Sequence, residues 1–312
     1  MRILVVGAGG IGGYFGGRLT AAGRDVTFLV RPKRAELLRK SGLIIRSPTG
    51  DAHIPMPKLV TTDTLNETFD LVLLSCKAYD LDDAMDSFAP AVGSQTAILP
   101  TLNGMAHIER LEARFGAEAV LGGACFISST IGPDGTILHL NEAHRITFGD
   151  RRGGMPARIQ AITEVLSGAG FDVEASTNIL RDMWAKWIFI ASLAGITCLM
   201  RSSIGDYVAA GGAELALRLV SECLEIAAVR GFPMEQSVIE RSNGFLMQAG
   251  SPITASMLRD IEAGARIEGD QIIGDMLARA DPHKRASYAM LNIAYTHLKA
   301  YEARRQREGG QG

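Results

Sequence analysis

The chain has 312 residues, long enough for two ordinary domains, and its 47% hydrophobic and 21% charged residues describe a globular protein with a substantial core. A formal net charge of −2 supplies no basic field for nucleic acid or an anionic membrane surface. Four widely spaced cysteines (Cys76, Cys125, Cys198, Cys223) form no C-x-x-C pair, which argues for free thiols in a reducing cytoplasm over a disulfide framework or zinc site. The histidines also lack a ligand spacing, so no metal is expected.

The N-terminal stretch MRILVVGAGGIGGYF opens with a short apolar run that glycines break, unlike a signal peptide. RILVV (2–6) reads as a strand of continuous apolar type, followed by a helix from about Gly10 to Ala22. DVTFLV (25–30) is a second strand, and PKRAELLRK begins a helix with proline in its first turn. FDLVLLS (69–75) and TAILP (96–100) are further short apolar runs, each closed by a polar turn. Strands buried on both faces and separated by helices imply a parallel sheet with right-handed crossovers.

Between Ala119 and Gly149 the pattern changes to antiparallel strands, AVLGGACFISSTI, TILHL and RITFG, with Asp134-Gly135 as a hairpin signal. FDVEA (171–175) is a last strand, and from Asn178 the periodicity is helical. The expected domains are 1–176, an α/β dinucleotide-binding unit, and 177–312, an all-helical unit. The apolar run Trp187–Met200 has 14 residues, short of the roughly 20 that span a bilayer, and belongs inside a protein. The basic stretch from Glu302, EARRQREGGQG, reads as a frayed, solvated tail.

Gly7-x-Gly9-x-x-Gly12 sits directly between the first strand and the first helix, the context in which such a motif holds a dinucleotide. Gly7 permits the tight turn, Gly9 lets the backbone approach a pyrophosphate, and Gly12 allows close helix–strand packing. Gly7, Gly9, Gly10, Ile11 and Gly12 are the candidate contacts, with the pyrophosphate on the helix N-terminus. After the second strand, where an NAD site offers a carboxylate to the ribose, the residue is Arg31, followed by Lys33 and Arg34. A planar guanidinium suits a 2′-phosphate, so NADPH is the expected cofactor and Arg31 its reader, while Lys33 fits the solvated face of a helix. Lys77 and Asn103 follow two other strands of the expected sheet, at the carboxyl edge where ligands bind.

The stretch DMWAKWIFIASLAGITCLM places Lys186 at the head of an apolar helix. Two readings stand: a lysine whose stem packs while its head reaches water, or a cationic acid beside the cofactor. In the second, the ammonium stabilises the alkoxide formed by hydride transfer to a ketone and donates its proton, with partial burial lowering its pKa.

In order, VVGAGGIGGYFGGRL, LVR, SCKAYD, LNGM, MWAKW and ASMLRDIEAGARIEGD resemble the ketopantoate reductase (2-dehydropantoate 2-reductase) family over nearly the full chain. The resemblance implies a Rossmann domain and a helical domain, NADPH as reductant, and conversion of ketopantoate to pantoate in pantothenate biosynthesis. It implies Lys186 as the lysine that polarises the keto oxygen and protonates the product. Asn103 corresponds to the asparagine near nicotinamide and substrate, Lys77 and Arg31 to basic cofactor contacts, Ser256 to a substrate contact, and Glu268 to a glutamate near the nicotinamide ribose. One departure is plain. The family helix reads K-x-x-x-N-x-x-x-N, and here those two positions are Ile190 and Ala194, on the face shared by residues i, i+4 and i+8. Thr197, a turn further on, is the polar group left there, so a more apolar 2-keto acid is an alternative substrate. A non-catalytic NADPH sensor is an alternative of another class, opposed by the joint presence of Lys186, Asn103 and Glu268. The apolar helices of the second half can build a homodimer face as readily as a core.

Overall fold

The computed structural model describes residues 1–309 and divides the chain into two compact units. The first comprises Met1–Leu102 and His107–Asp182, and the second comprises Asn103–Ala106 and Met183–Gly312.

In the first unit the apolar runs form the strands that their composition implies. β1 (Arg2–Val6), β2 (Asp25–Leu29), β6 (Phe69–Leu74) and β7 (Val92–Pro100) belong to one sheet, joined at its edge by the short β5 (Lys58–Val60). The order is β5-β2-β1-β6-β7 and every pairing is parallel. Strand order reverses between β1 and β6, the switch point at which open parallel sheets bind ligands. Helix α1 (Gly10–Ala21) connects β1 to β2 and α3 (Leu81–Phe88) connects β6 to β7, while α2 (Pro32–Ser41) follows β2 and α4 (Ala106–Phe115) follows β7.

A second sheet contains β3 (Leu43–Arg46), β4 (Ala52–Ile54), β8 (Gly122–Ile131), β9 (Ile137–Gly149) and β10 (Asp172–Ala175), in the order β10-β9-β3-β4 with β8 beside β9. The Gly132 N–H donates to the Thr136 carbonyl and the Gly135 N–H to the Gly132 carbonyl, which closes the β8–β9 hairpin at the expected Asp134-Gly135 turn. TILHL and RITFG, expected as separate strands, are one strand of 13 residues. Helix α5 (Ala157–Leu166) leads into β10.

Helix α1 lies between the two sheets, which explains its richness in glycine. A Cβ on Gly16 would meet the Phe28 ring at 2.6 Å, on the parallel-sheet side. A Cβ on Gly17 would meet Ile45 at 2.7 Å and Leu43 at 2.8 Å, on the other. Both faces of this helix are core, so Tyr14, Phe15 and Leu19 are fully buried.

The second unit is helical. It holds most of α6 (Ile179–Met200), then α7 (Ile204–Ala209), α8 (Ala213–Val229), α9 (Gln236–Leu246), α10 (Ser256–Glu262), a π turn (Asp270–Gly274), α11 (Asp275–Ala278) and α12 (Ala289–Arg307). The ring centroids of Trp184 and Trp187 lie 4.9 Å apart in its core, with Phe232 stacked on Trp184. Helix α7 starts at a capping box in which the Ser203 and Asp206 side chains each accept from the other's backbone N–H. The Glu222 carboxylate of α8 accepts from the Met290 and Leu291 N–H groups and so satisfies the first turn of α12.

At 22 residues α6 exceeds the apolar run read from the sequence and is long and apolar enough to cross a membrane, yet 67% of its most apolar window is buried within the protein. The expected frayed tail from Glu302 is instead helix as far as Arg307. Glu302 pairs with Lys299, and Arg305 Nε donates to the Gly264 carbonyl at 2.8 Å. The first contact is local to the helix, and the second is tertiary and helps hold this polar end in place. Residues 310–312 lie outside the described residues.

Candidate active site

In the first unit the candidate region is the glycine turn after β1. Gly7 has φ +92°, a conformation that a Cβ would strain. A Cβ on Gly12 would fall 2.1 Å from both the Gly7 carbonyl oxygen and Ser75 Oγ, so only hydrogen fits there. Ser75 Oγ donates to the carbonyls of Val6 and Gly7 and ties the end of β6 to the turn. Gly9 differs. Among the described residues, no atom beyond its own chain neighbours and helix backbone lies within 4 Å of the position its Cβ would take. Gly9 is the N-cap of α1, and the first turn, Gly10–Ile11–Gly12–Gly13, bears no carboxylate. Open backbone at a helix N-terminus without a competing anion fits a dinucleotide pyrophosphate. Gly10 instead gives close packing, since its Cβ would meet the Ser129 carbonyl oxygen at 2.8 Å, while Ile11 is half-buried.

Arg31 caps α2 at the end of β2, with its side chain 74% exposed and its guanidinium 3.3 Å from the Asp80 carboxylate. The sequence offers no carboxylate directly after β2, but the fold brings Asp80 there from the segment following β6. Lys77 is half-buried and starts that segment, as N-cap of a short 3₁₀ turn over Ala78–Asp80. Lys33 is exposed, as expected of a solvated face.

Arg34 is the residue that sequence reasoning passed over. Its Nε donates to the Ala8 carbonyl at 3.1 Å and its Nη1 to the Gly135 carbonyl at 3.0 Å, while its Nη2 is buried without a hydrogen-bond partner. Burial lowers its pKa from the usual guanidinium value. The available signal was its spacing, one turn beyond Arg31 on the same helix.

The helical unit holds a candidate region of its own. Lys186 is half-buried on α6, and Ile190 beyond it is also half-buried. Ala194 is 2% exposed and Thr197 fully buried. The Thr197 hydroxyl donates to the Leu193 carbonyl at 2.7 Å and accepts from the Ala255 N–H at 3.3 Å, so both its roles are taken in holding the start of α10. Ser256, the first residue of α10, is exposed. Glu268, buried to 7% exposure, lies just before the π turn, and its carbonyl accepts from the Ile272 N–H. Asn103 is half-buried and groups with this unit, although it follows β7 closely in the chain. The Cβ position of the neighbouring Gly104 (φ +79°) is 2.6 Å from the Gln271 carbonyl oxygen and 3.9 Å from Trp187 Nε1. The Asn103 loop, the helix bearing Lys186 and the segment after Glu268 therefore meet in one place.

The thiols of Cys198 and Cys223 do not compete with this chemistry. No disulfide joins the cysteines among the described residues, and burial pushes the thiols of Cys198 and Cys223 up to about 12, where they stay protonated and inert.

The family model described as Ketopantoate reductase PanE/ApbA matches residues 3–153, and that of its C-terminal part matches residues 178–302. The chain belongs to the ketopantoate reductase family. It is thus an oxidoreductase-family protein, and both candidate regions fall inside the matched residues. An uncharacterized oxidoreductase of Bacillus subtilis is 40% identical over 306 residues, covering 97% of this chain and 99% of that protein. A 2-dehydropantoate 2-reductase of Halobacterium salinarum is 27% identical across 94% of this chain and 97% of its own length. Among solved structures, the 2-dehydropantoate 2-reductase of Methylococcus capsulatus superposes with a TM-score of 0.86 at 26% identity, covering 98% of each chain.

Proposed function

We infer that this protein is an NADPH-dependent 2-keto acid reductase that converts ketopantoate to pantoate, the reductive step of pantothenate biosynthesis. The observation that carries the reading is Lys186, a half-buried ammonium on an apolar helix in a chain of this oxidoreductase family. An ammonium costs free energy to bury in such surroundings, and the cost is offset where a developing negative charge needs it.

The bound nicotinamide supplies a hydride to the keto carbon. The Gly7–Gly12 turn and the N-terminus of α1 hold the pyrophosphate, with Gly9 giving it room. Arg31 meets the 2′-phosphate in charge-assisted hydrogen bonds and exchanges Asp80 for it, and Lys77 adds positive charge nearby. Lys186 polarises the keto oxygen, and its Nζ gives the proton to that oxygen as the carbonyl becomes an alcohol. Asn103 and Glu268 orient the reacting groups, and Ser256 offers its exposed hydroxyl to the substrate. Atoms balance as one hydride and one proton added to the keto acid, giving a 2-hydroxy acid.

A second reading differs in substrate. Ile190 and Ala194 bring no hydrogen-bonding side chain to the face behind Lys186, which favours a 2-keto acid more apolar than ketopantoate. The spaced cysteines fit a cytoplasmic protein, and a homodimer is the assembly proposed.

The test is oxidation of NADPH by the purified protein against a panel of 2-keto acids that includes ketopantoate, run beside Lys186→Met. Methionine keeps much of the stem's packing and removes the proton and charge. Turnover is expected to fall by about 10²-fold or more with NADPH still bound. Near-normal turnover of the variant would return Lys186 to a packing role, and absence of any turnover in the native protein would favour a sensor.

A further inference from the structure

A widened helical turn runs through Asp270–Gly274, where the Asp275 N–H bonds to the carbonyl five residues back, that of Asp270. Such turns shift the carbonyl ladder out of register with the regular helix, and they recur at functional sites. Here a carbonyl of the turn has another donor. Trp187 Nε1–H donates to the Ile272 carbonyl at 3.0 Å, and the indole is fully buried. Trp187 is the residue next to Lys186, and the turn begins two residues after Glu268. The Gly104 backbone packs against the neighbouring Gln271 carbonyl so closely that a side chain there would lie 2.6 Å from it.

The turn is also braced from behind. The Asp270 carboxylate accepts from the Tyr295 hydroxyl at 2.7 Å and from Lys299 Nζ at 3.1 Å. Burial opposes its ionisation, but these two donors hold the carboxyl below its ordinary range. Gly274, lacking a Cβ, admits the Tyr295 ring at 2.9 Å from where that atom would be. One short segment is thus gripped by α12 on one side and by Trp187 and the Asn103 loop on the other.

The geometry points to Trp187 as a positioning residue that, through its hydrogen bond to the Ile272 carbonyl of the π turn, sets Lys186, Asn103 and Glu268 in register with one another. This inference rests on the reductase reading for its kinetic consequence but not for its structural one. Reacting groups misplaced by an ångström lose turnover by as much as about 10²-fold, so a bond that holds three of them together bears on rate more than on binding.

The experiment compares Trp187→Phe, which keeps an aromatic ring and removes the donor, with Gly104→Ala, which pushes the loop from the turn. Kinetics are measured with NADPH and the best 2-keto acid, and amide hydrogen exchange is followed in peptides covering the Asn103 loop and the π turn. In both variants kcat is expected to fall about tenfold or more while KM for NADPH changes less than about twofold. In Trp187→Phe both peptides should exchange faster, although neither contains residue 187. Unchanged kcat, or faster exchange confined to the α6 peptide, would overturn the inference. Should Trp187→Phe not fold, Gly104→Ala decides it by the same kinetic split and by exchange in the π turn. If the native protein reduces no keto acid, the reductase reading fails while the exchange measurement still judges the coupling.

Discussion

Two glycines three residues apart are expected to fail in opposite ways when changed to alanine. In Gly12→Ala the new methyl would lie 2.1 Å from the Gly7 carbonyl oxygen, which is backbone and cannot rotate away. It would also lie 2.1 Å from Ser75 Oγ, whose movement would break the hydroxyl's bonds to Val6 and Gly7. Overpacking costs about 1–3 kcal/mol and a lost hydrogen bond about 1 kcal/mol, so the variant should lose roughly 2–4 kcal/mol. For a domain of this size that corresponds to a Tm lower by about 5–15 °C. In Gly9→Ala the methyl meets no side chain, and Tm should move by less than about 2 °C. The same methyl would occupy the space through which a pyrophosphate reaches the backbone, so NADPH binding should weaken by about tenfold or more. Thermal unfolding without ligand, with NADPH fluorescence titration, measures both. A Gly9→Ala protein that binds normally would refute the placement of the pyrophosphate, and a Gly12→Ala protein of native Tm would refute the packing argument.

Arg31→Ala should weaken NADPH by about 1–3 kcal/mol and leave NADH nearly unchanged, read from the two Kd values. Equal use of both cofactors by the native protein would remove the basis for that assignment. Ile190→Asn with Ala194→Asn should shift kcat/KM toward ketopantoate over its dehydroxylated analogue, because a buried hydroxyl left without a partner costs about 1–3 kcal/mol. A strong native preference for ketopantoate would show that other groups hold the hydroxyl. Acid should loosen the second sheet at His144, whose Nδ1 lies 2.7 Å from the Tyr14 hydroxyl and whose ring stacks on His139. Burial lowers its pKa, with the charges of His139 and Arg18 acting the same way and Asp172 opposing them. A folded pKa below the unfolded value means that this stability is present above about pH 6.5 and is lost as pH falls further. The drop in Tm from about pH 7 to pH 5.5 should therefore be smaller in His144→Gln, and an equal drop would refute the assignment.

The strand ends, the glycine turn and the helical second half were legible in the sequence because each depends on local chemistry. Continuous apolar runs mark strands covered on both faces, and the spacing from Gly7 to Gly12 follows from a backbone that must turn within a few residues. Lys186 stood out for the same local reason, a charge at the head of an apolar helix. Decisions taken between distant parts of the chain were not legible. The short strands β3, β4 and β5 carry too little pattern to announce themselves and form because β9 offers an edge to β3, β3 to β4, and β2 to β5. The role of Arg34 was set only when the β8–β9 hairpin and the glycine turn placed carbonyls against it. Arg305 bonds a carbonyl 41 residues away, which turns an apparent tail into the end of α12. Asn103 belongs with the helical unit because Gly104 packs on the π turn, and the Ile272 carbonyl of that turn meets Trp187 only after both helices are in place. Local sterics and hydrophobic period are written in neighbouring residues, whereas hydrogen-bond partners across the fold are chosen by packing.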